Sequence, residues 1–220
     1  AVYPSSVVMN VVPAQVAKVP RIAVSSPAQE NGLPSPSVMA TCALLGIDEV
    51  YGIGGASAIA AFAHGVPEIN LEPVAMVTGP GNIFVAAAKR QLRGVIGIDS
   101  EAGPTEILIV ADESANPRFI AADLISQAEH DQNAGAVLVT DSASLIEEVQ
   151  AELEVQVSLA KNRDRIEASL GGIQSALVLV ADINTAMAVA NKYATEHLEI
   201  QTAKSEELAR QVRHAGAVFV

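Results

Sequence analysis

A chain of 220 residues, half of them hydrophobic, can bury a real core and has room for one α/β domain or two small ones. Its net charge of −12 argues against a nucleic-acid partner, because a phosphate backbone is neutralised by Lys and Arg. The single cysteine, Cys42, excludes an internal disulfide framework and a cysteine-rich zinc site. Aromatic residues make up only 3% and Trp is absent, so Ala, Val, Ile and Leu must build the interior. That suits parallel strands covered by helices on both faces. No apolar run reaches the ~18–20 residues that cross a bilayer. The opening Ala1-Val2-Tyr3-Pro4 lacks the charged-then-apolar order of a signal peptide. A soluble, cytoplasmic protein with no membrane partner is expected, and the cysteine usage fits a reducing compartment.

In chain order, Tyr3-Pro-Ser-Ser reads as a turn, followed by a short apolar strand over 21–25. A helix over 37–45, with Ser35 as its cap, leads to a strand over 49–53 and a helix over 56–64. Strands over 75–78 and 95–98 flank a helix over 83–92. After the turn-rich segment 99–106, strands over 106–110 and 136–140 bracket a helix over 118–130. A helix over 143–159, a strand over 176–180, and helices over 184–193 (capped by Asp182) and 204–214 complete the pattern, before a last strand over 217–220. Alternating strands and helices with short connections imply parallel sheets wound in the right-handed sense. The fold class is therefore α/β with two Rossmann-like parallel-sheet halves, residues 1–100 and 101–220. Because the chain opens on a turn and stops inside an apolar run, a fragment of a longer protein is expected.

Few residues carry the chemistry. Gln127 and His130 close the segment Asp123-Leu-Ile-Ser-Gln-Ala-Glu-His130, near the end of a predicted helix. A separation of three puts them about 60° apart around the helix, so both can reach one ion. Imidazole suits zinc and an amide oxygen is a weaker ligand; alternatively His130 simply caps the helix end. Glu196 and His197, in Tyr193-Ala-Thr-Glu-His-Leu-Glu-Ile200, fall at a helix-to-strand junction where a bend can turn both into one cleft. A carboxylate beside an imidazole supplies two bases; the plain alternative is a solvated loop. Gly79-Pro-Gly-Asn82 and Gly54-Gly-Ala-Ser57 are glycine-rich strand-to-helix turns, either ordinary turns or places where a helix N-terminus meets an anionic group. Cys42 sits in an apolar helical run with no basic neighbour, and reads as a small core residue. His64 and His214 suit helix C-termini.

Together these segments resemble histidinol dehydrogenase. The resemblance rests on Tyr3-Pro-Ser-Ser-Val-Val-Met-Asn10, Gly54-Gly-Ala-Ser-Ala-Ile-Ala-Ala61, Gly79-Pro-Gly-Asn82, Ile98-Asp-Ser-Glu-Ala-Gly-Pro-Thr-Glu106, Asp123–His130 and Thr195-Glu-His-Leu198, in the family's order along essentially the whole chain. It implies an aldehyde-dehydrogenase-like architecture. It also implies an NAD-dependent enzyme that oxidises L-histidinol through L-histidinal to L-histidine, with zinc holding the substrate. Gln127 and His130 match zinc ligands and substrate contacts. His197 matches the base and a further substrate contact, and Glu196 matches the group that activates water. Thr105 stands where a substrate-contacting Ser is frequent. Tyr3, Ser57 and Asn82 match NAD-contacting positions, although some members carry Gln where this chain has Ser57. The family's remaining zinc ligands, an Asp and a His, and a substrate-contacting Glu are expected beyond residue 220. The family's homodimer implies a dimer for the whole protein. A different class of function, a catalytically silent folded fragment or binding module, follows if two missing ligands abolish zinc binding. An aldehyde dehydrogenase would need a nucleophilic cysteine, and Cys42 is poorly placed for that.

Overall fold

Two apolar runs in the second half of the chain, 107–111 and 135–140, form strands buried on both faces. The computed structural model describes residues 4–101 and 103–220, and the chain divides into two units, Ala1–Gly103 and Pro104–Val220. The fold is α/β with parallel sheets throughout.

In the first unit, α1 (Pro4–Val16) replaces the expected turn. Proline is tolerated at a helix start because its missing N–H would be unpaired there anyway. Val7 and Val11, one turn apart, pack with Val38 and Cys42 of α2 (Pro36–Leu44). β1 (Ala23–Ser25) pairs with β2 (Glu49–Tyr51), which leads into α3 (Gly55–His64). β3 (Met76–Val77), α4 (Ile83–Leu92) and β4 (Gly97–Ile98) follow, with β3 paired to β4. These strands have two or three residues and pair two by two, interrupted by neighbouring Pro and Gly that end the ladders. Ser35 holds the cap position of α2, but its hydroxyl meets Ser37 Oγ at 3.0 Å and caps no backbone N–H. His64 does close its helix, before Gly65.

The second unit is a three-layer sandwich. β5 (Glu106–Ala111) is followed by α5 (Pro117–Ala128), β6 (Gly135–Thr140), α6 (Ala143–Leu159), α7 (Arg163–Leu170) and β7 (Ala176–Leu179). Then come α8 (Ile183–Tyr193), β8 (His197–Gln201), α9 (Ser205–Ala209) and β9 (Ala217–Phe219). The strands lie in the order β7-β6-β5-β8-β9, so the winding reverses between β5 and β8. Alternate residues of β5 serve opposite faces. Leu108 and Val110 pack with Ala186, Met187 and Ala190 of α8, while Ile107 and Ile109 pack with Ile120 and Leu124 of α5.

Three more elements, all in the second unit, differ from the expectation. α7 has only Ile166 and Ser169 buried, too little apolar periodicity to signal a helix. The helix expected over 204–214 ends at Ala209, so His214 lies past it and caps nothing helical. β8 is the strand expected after the junction at Glu196 and His197, but it begins at His197 itself and alternates polar and apolar, so no continuous apolar run marks its extent. Leu198 and Ile200 face α8, and His197 and Gln201 meet α5, where Asp123 and Gln127 lie four residues apart on one face. Among the described residues no helix is long and apolar enough to cross a membrane.

Candidate active site

Four of the predicted site residues gather at the amino ends of β5 and β8, beside the carboxyl end of α5. Thr105 immediately precedes β5, and its Oγ1 accepts from Gln127 Nε2 at 2.6 Å. Gln127 is 5% exposed, and its Oε1 lies 3.2 Å from His197 Nδ1. A carbonyl oxygen only accepts, so His197 carries its proton on Nδ1 and keeps the Nε2 lone pair. That Nε2 lies 3.8 Å from Glu196 Oε1, in a side chain that is half exposed. An imidazole held at one nitrogen, basic at the other and flanked by a carboxylate can take a proton and have the resulting charge stabilised.

The bend that presents Glu196 and His197 is held from both sides. The buried Thr195 hydroxyl lies 3.1 Å from the Glu106 carbonyl and 3.2 Å from that of His197, and the Glu196 N–H donates to Glu106 Oε1 at 2.9 Å. Opposite, Gly216 N–H donates to Thr195 O at 3.0 Å and Ala217 N–H to Glu196 O at 2.7 Å. A Cβ on Gly216 would stand 2.8 Å from Glu196 O, so only glycine leaves room for that approach. Sequence reasoning missed Thr195, Glu106 and Gly216 as parts of the site. A lone charge at the head of the apolar run 107–111 was the available signal for Glu106.

His130 lies just past α5, in an exposed turn whose N–H donates to Gln127 O at 3.2 Å. The helix carboxyl end favours a cation there. Gln127 Oε1 retains a second lone pair, and an amide oxygen and an imidazole are both donor types that zinc accepts. Among the described residues no three His, Cys, Asp or Glu side chains gather as a metal site.

A separate groove of about 480 Å³ opens at the other ends of β5 and β8, lined among others by Ser114, Asp123, Glu199, Gln201 and Thr202. Open α/β sheets commonly bind ligands at such a reversal point, yet the groove lies at the opposite strand ends from His197. There Gln201 Nε2 donates to Asp123 Oδ2 at 3.3 Å and to Glu199 Oε1 at 3.0 Å. Burial raises both carboxyl groups, and the Asp123 charge raises Glu199 further.

In the first unit, Ser57 lies exposed in the first turn of α3. Asn82 caps α4, accepting from Phe84 and Val85 N–H at 3.1 Å each. Tyr3 lies outside the described residues. The glycine turn before Asn82 is pinned from below. Lys89, 1% exposed, donates to Asp99 Oδ1 at 2.6 Å and to Gly79 O, while Asp99 Oδ2 accepts from Gly79 N at 2.7 Å. Gly79 has φ 111, a backbone region that favours glycine. Cys42 is buried and burial pushes its thiol up, which opposes nucleophilic use.

The histidinol dehydrogenase family profile matches residues 1–220. The chain is 63% identical to the histidinol dehydrogenase of Thermobifida fusca and 57% identical to that of Leifsonia xyli subsp. xyli, in both cases over its whole length. It spans about half the length of these relatives, 50% and 51%. The solved histidinol dehydrogenase of Elizabethkingia anophelis superposes with a TM-score of 0.88 at 34% identity, covering 98% of this chain and 49% of that one. An acetylating aldehyde dehydrogenase from Geobacillus thermoglucosidasius shares the fold, with a TM-score of 0.60 at 15% identity over 99% of this chain and 61% of its own. On the match along its entire length, this chain belongs to the histidinol dehydrogenase family.

Proposed function

We propose that the whole protein carrying this chain is an NAD-dependent histidinol dehydrogenase that oxidises L-histidinol through L-histidinal to L-histidine. The observation that carries the reading is the chain of contacts from Thr105 through Gln127 to His197, with Glu196 within 3.8 Å of the basic nitrogen. His197 Nε2 takes the hydroxyl proton in the first oxidation, and Gln127 holds the ring in the tautomer that leaves Nε2 free. Glu196, the more exposed of the pair, takes a proton from water as it adds to the aldehyde. The hydrate so formed then loses its proton to a base and its hydride in the second oxidation. Thr105 keeps a hydroxyl proton to donate toward substrate. NAD, when bound, accepts the hydride in each step; Ser57, Asn82 and Tyr3 are its proposed contacts. Zinc, when bound by Gln127, His130 and donors from elsewhere in the whole protein, holds the substrate without changing redox state.

With two donors of its own, the isolated chain is proposed to bind zinc weakly and to be inactive. A cytoplasmic homodimer is the proposed working form. The test is absorbance of reduced NAD from the whole protein given histidinol, NAD and zinc. No signal from a folded, zinc-loaded preparation would sink the assignment.

A further inference from the structure

We propose that Glu106 is a positioning residue for the acid–base pair, acting through the backbone of Thr195–His197 rather than by touching substrate. The inference rests on the proposed histidinol oxidation and adds to it a residue that sets the geometry. Glu106 is the first residue of β5, and the next pair along the ladder is Ile107 with His197. At the strand start Glu106 engages the bend twice: its carbonyl lies 3.1 Å from Thr195 Oγ1, and its carboxylate accepts the Glu196 N–H at 2.9 Å. The same threonine hydroxyl lies 3.2 Å from His197 O, so one buried side chain links Glu106 to both ends of the bend.

Glu106 is half-buried and stands one residue before a run that is buried on both faces. A charged acceptor holds a backbone N–H about twice as strongly as a neutral one. Fixing the Glu196 N–H fixes the direction in which its side chain leaves the backbone and where the His197 ring begins. Gly216 and Ala217 hold the carbonyls of the same bend from the other side, but they cannot reach the Glu196 N–H. Replacing the Glu106 side chain leaves the Thr195 contact to the residue-106 carbonyl but strips the Glu196 N–H of its acceptor, so the bend that sets the 3.2 Å approach of His197 Nδ1 to Gln127 Oε1 is less firmly held.

The experiment compares Glu106→Leu, Glu106→Gln and Glu106→Met in the whole protein, with kcat, KM for histidinol, zinc content and crystal structures as readouts. For E106L we expect a kcat loss of about thirtyfold with KM within about threefold and zinc content unchanged, because Thr105, Gln127 and His130 are not held by the bend. E106Q keeps an acceptor oxygen and should lie within about threefold of wild type. Wild-type kcat in E106L, or equal losses in E106L and E106Q, would overturn the proposal. Should E106L fail to fold, E106M carries the test: it keeps the unbranched shape of the side chain, offers the Glu196 N–H no oxygen acceptor, and should show the same loss in kcat. A fully active E106M would then overturn the proposal. The crystal structures decide independently of turnover: E106L should lose the Gln127–His197 contact and E106Q should keep it, and an unmoved bend in E106L contradicts the assignment. If the wild type fails to oxidise histidinol, the functional reading alone falls, and the structures still judge Glu106.

Discussion

The Nδ1 atom of His197 lies 3.2 Å from Oε1 of Gln127, although the two residues are 70 positions apart in the chain. The contact exists because α5 runs back along the sheet, so that its last turn meets the first residue of β8. With the amide oxygen toward the ring, the proton lies on Nδ1 and Nε2 is the acceptor. Thr105 completes the link at 2.6 Å from the amide nitrogen, so one buried glutamine orients the base and touches a hydroxyl.

Replacing His197 by Asn should preserve a donor to Gln127 while removing the basic nitrogen. The expected result for the whole protein is a fall in kcat of about 10²–10⁴ with zinc content unchanged. Turnover and metal analysis on the same preparation check it; near-normal turnover would refute the role as base.

Gly216→Ala should act by crowding alone, since its Cβ would stand 2.8 Å from Glu196 O and 3.2 Å from Glu196 Cα. Both are backbone atoms, so the bend itself must move. A loss of about 1–3 kcal/mol in stability is expected, together with lower kcat. Denaturant titration and turnover are the measurements, and a variant unchanged in both would show that the close approach is dispensable.

The Asp123–Glu199 pair makes stability depend on pH. Burial raises both groups above the ordinary carboxylate range, with the Asp123 charge adding to Glu199. A carboxyl raised in the folded state stabilises fully below its unfolded pKa, and that stability is lost as pH rises through the folded value. The protein should therefore lose stability from about pH 4 toward neutrality at this site. Glu199→Gln keeps the link to Gln201 without the charge. Urea midpoints should be higher for E199Q at neutral pH and converge with wild type near pH 4; parallel profiles would exclude the pair as the cause.

Lys89 and Asp99 should respond asymmetrically to neutralisation. Lys89 is 1% exposed and Asp99 32%, so Asp99→Asn leaves a buried ammonium while Lys89→Met leaves a carboxylate that water reaches. D99N is expected to cost about 3 kcal/mol and K89M clearly less. Burial alone would raise Asp99, but Lys89 and the N–H groups of Gly79 and Ser100 outweigh it and hold the carboxyl below its ordinary value. Its stabilisation is thus present above the unfolded pKa and lost as pH falls through the lowered one. Guanidinium midpoints of both variants check the order; equal losses would contradict it.

Much of the α/β pattern was legible in the chain itself, because runs such as Ile107–Ala111 and 136–140 leave no alternative to burial on two faces. Ile83–Leu92 and Ala143–Leu159 were readable from helical spacing, and Asp182 from its capping chemistry, accepting the Thr185 N–H at 2.7 Å. Motif order placed the chain in its family and drew attention to Gln127, His130, Glu196 and His197. What the chain could not disclose was partnership across the sheet. The polar face of β8 shows no apolar run, so nothing local reveals that His197 points to Gln127 and that Gln201 bridges Asp123 and Glu199. Glu106 shows in sequence only as a lone charge ahead of an apolar run, and Thr195 and Gly216 not at all, since their partners are backbone groups brought together only when β5, β8 and β9 pair. Periodicity reports which face of an element is apolar; it carries no information about which polar face another element will present to it. The Glu196–His197 dipeptide was therefore visible from the start, and the bend that brings the two side chains within 3.8 Å was decided by the sheet.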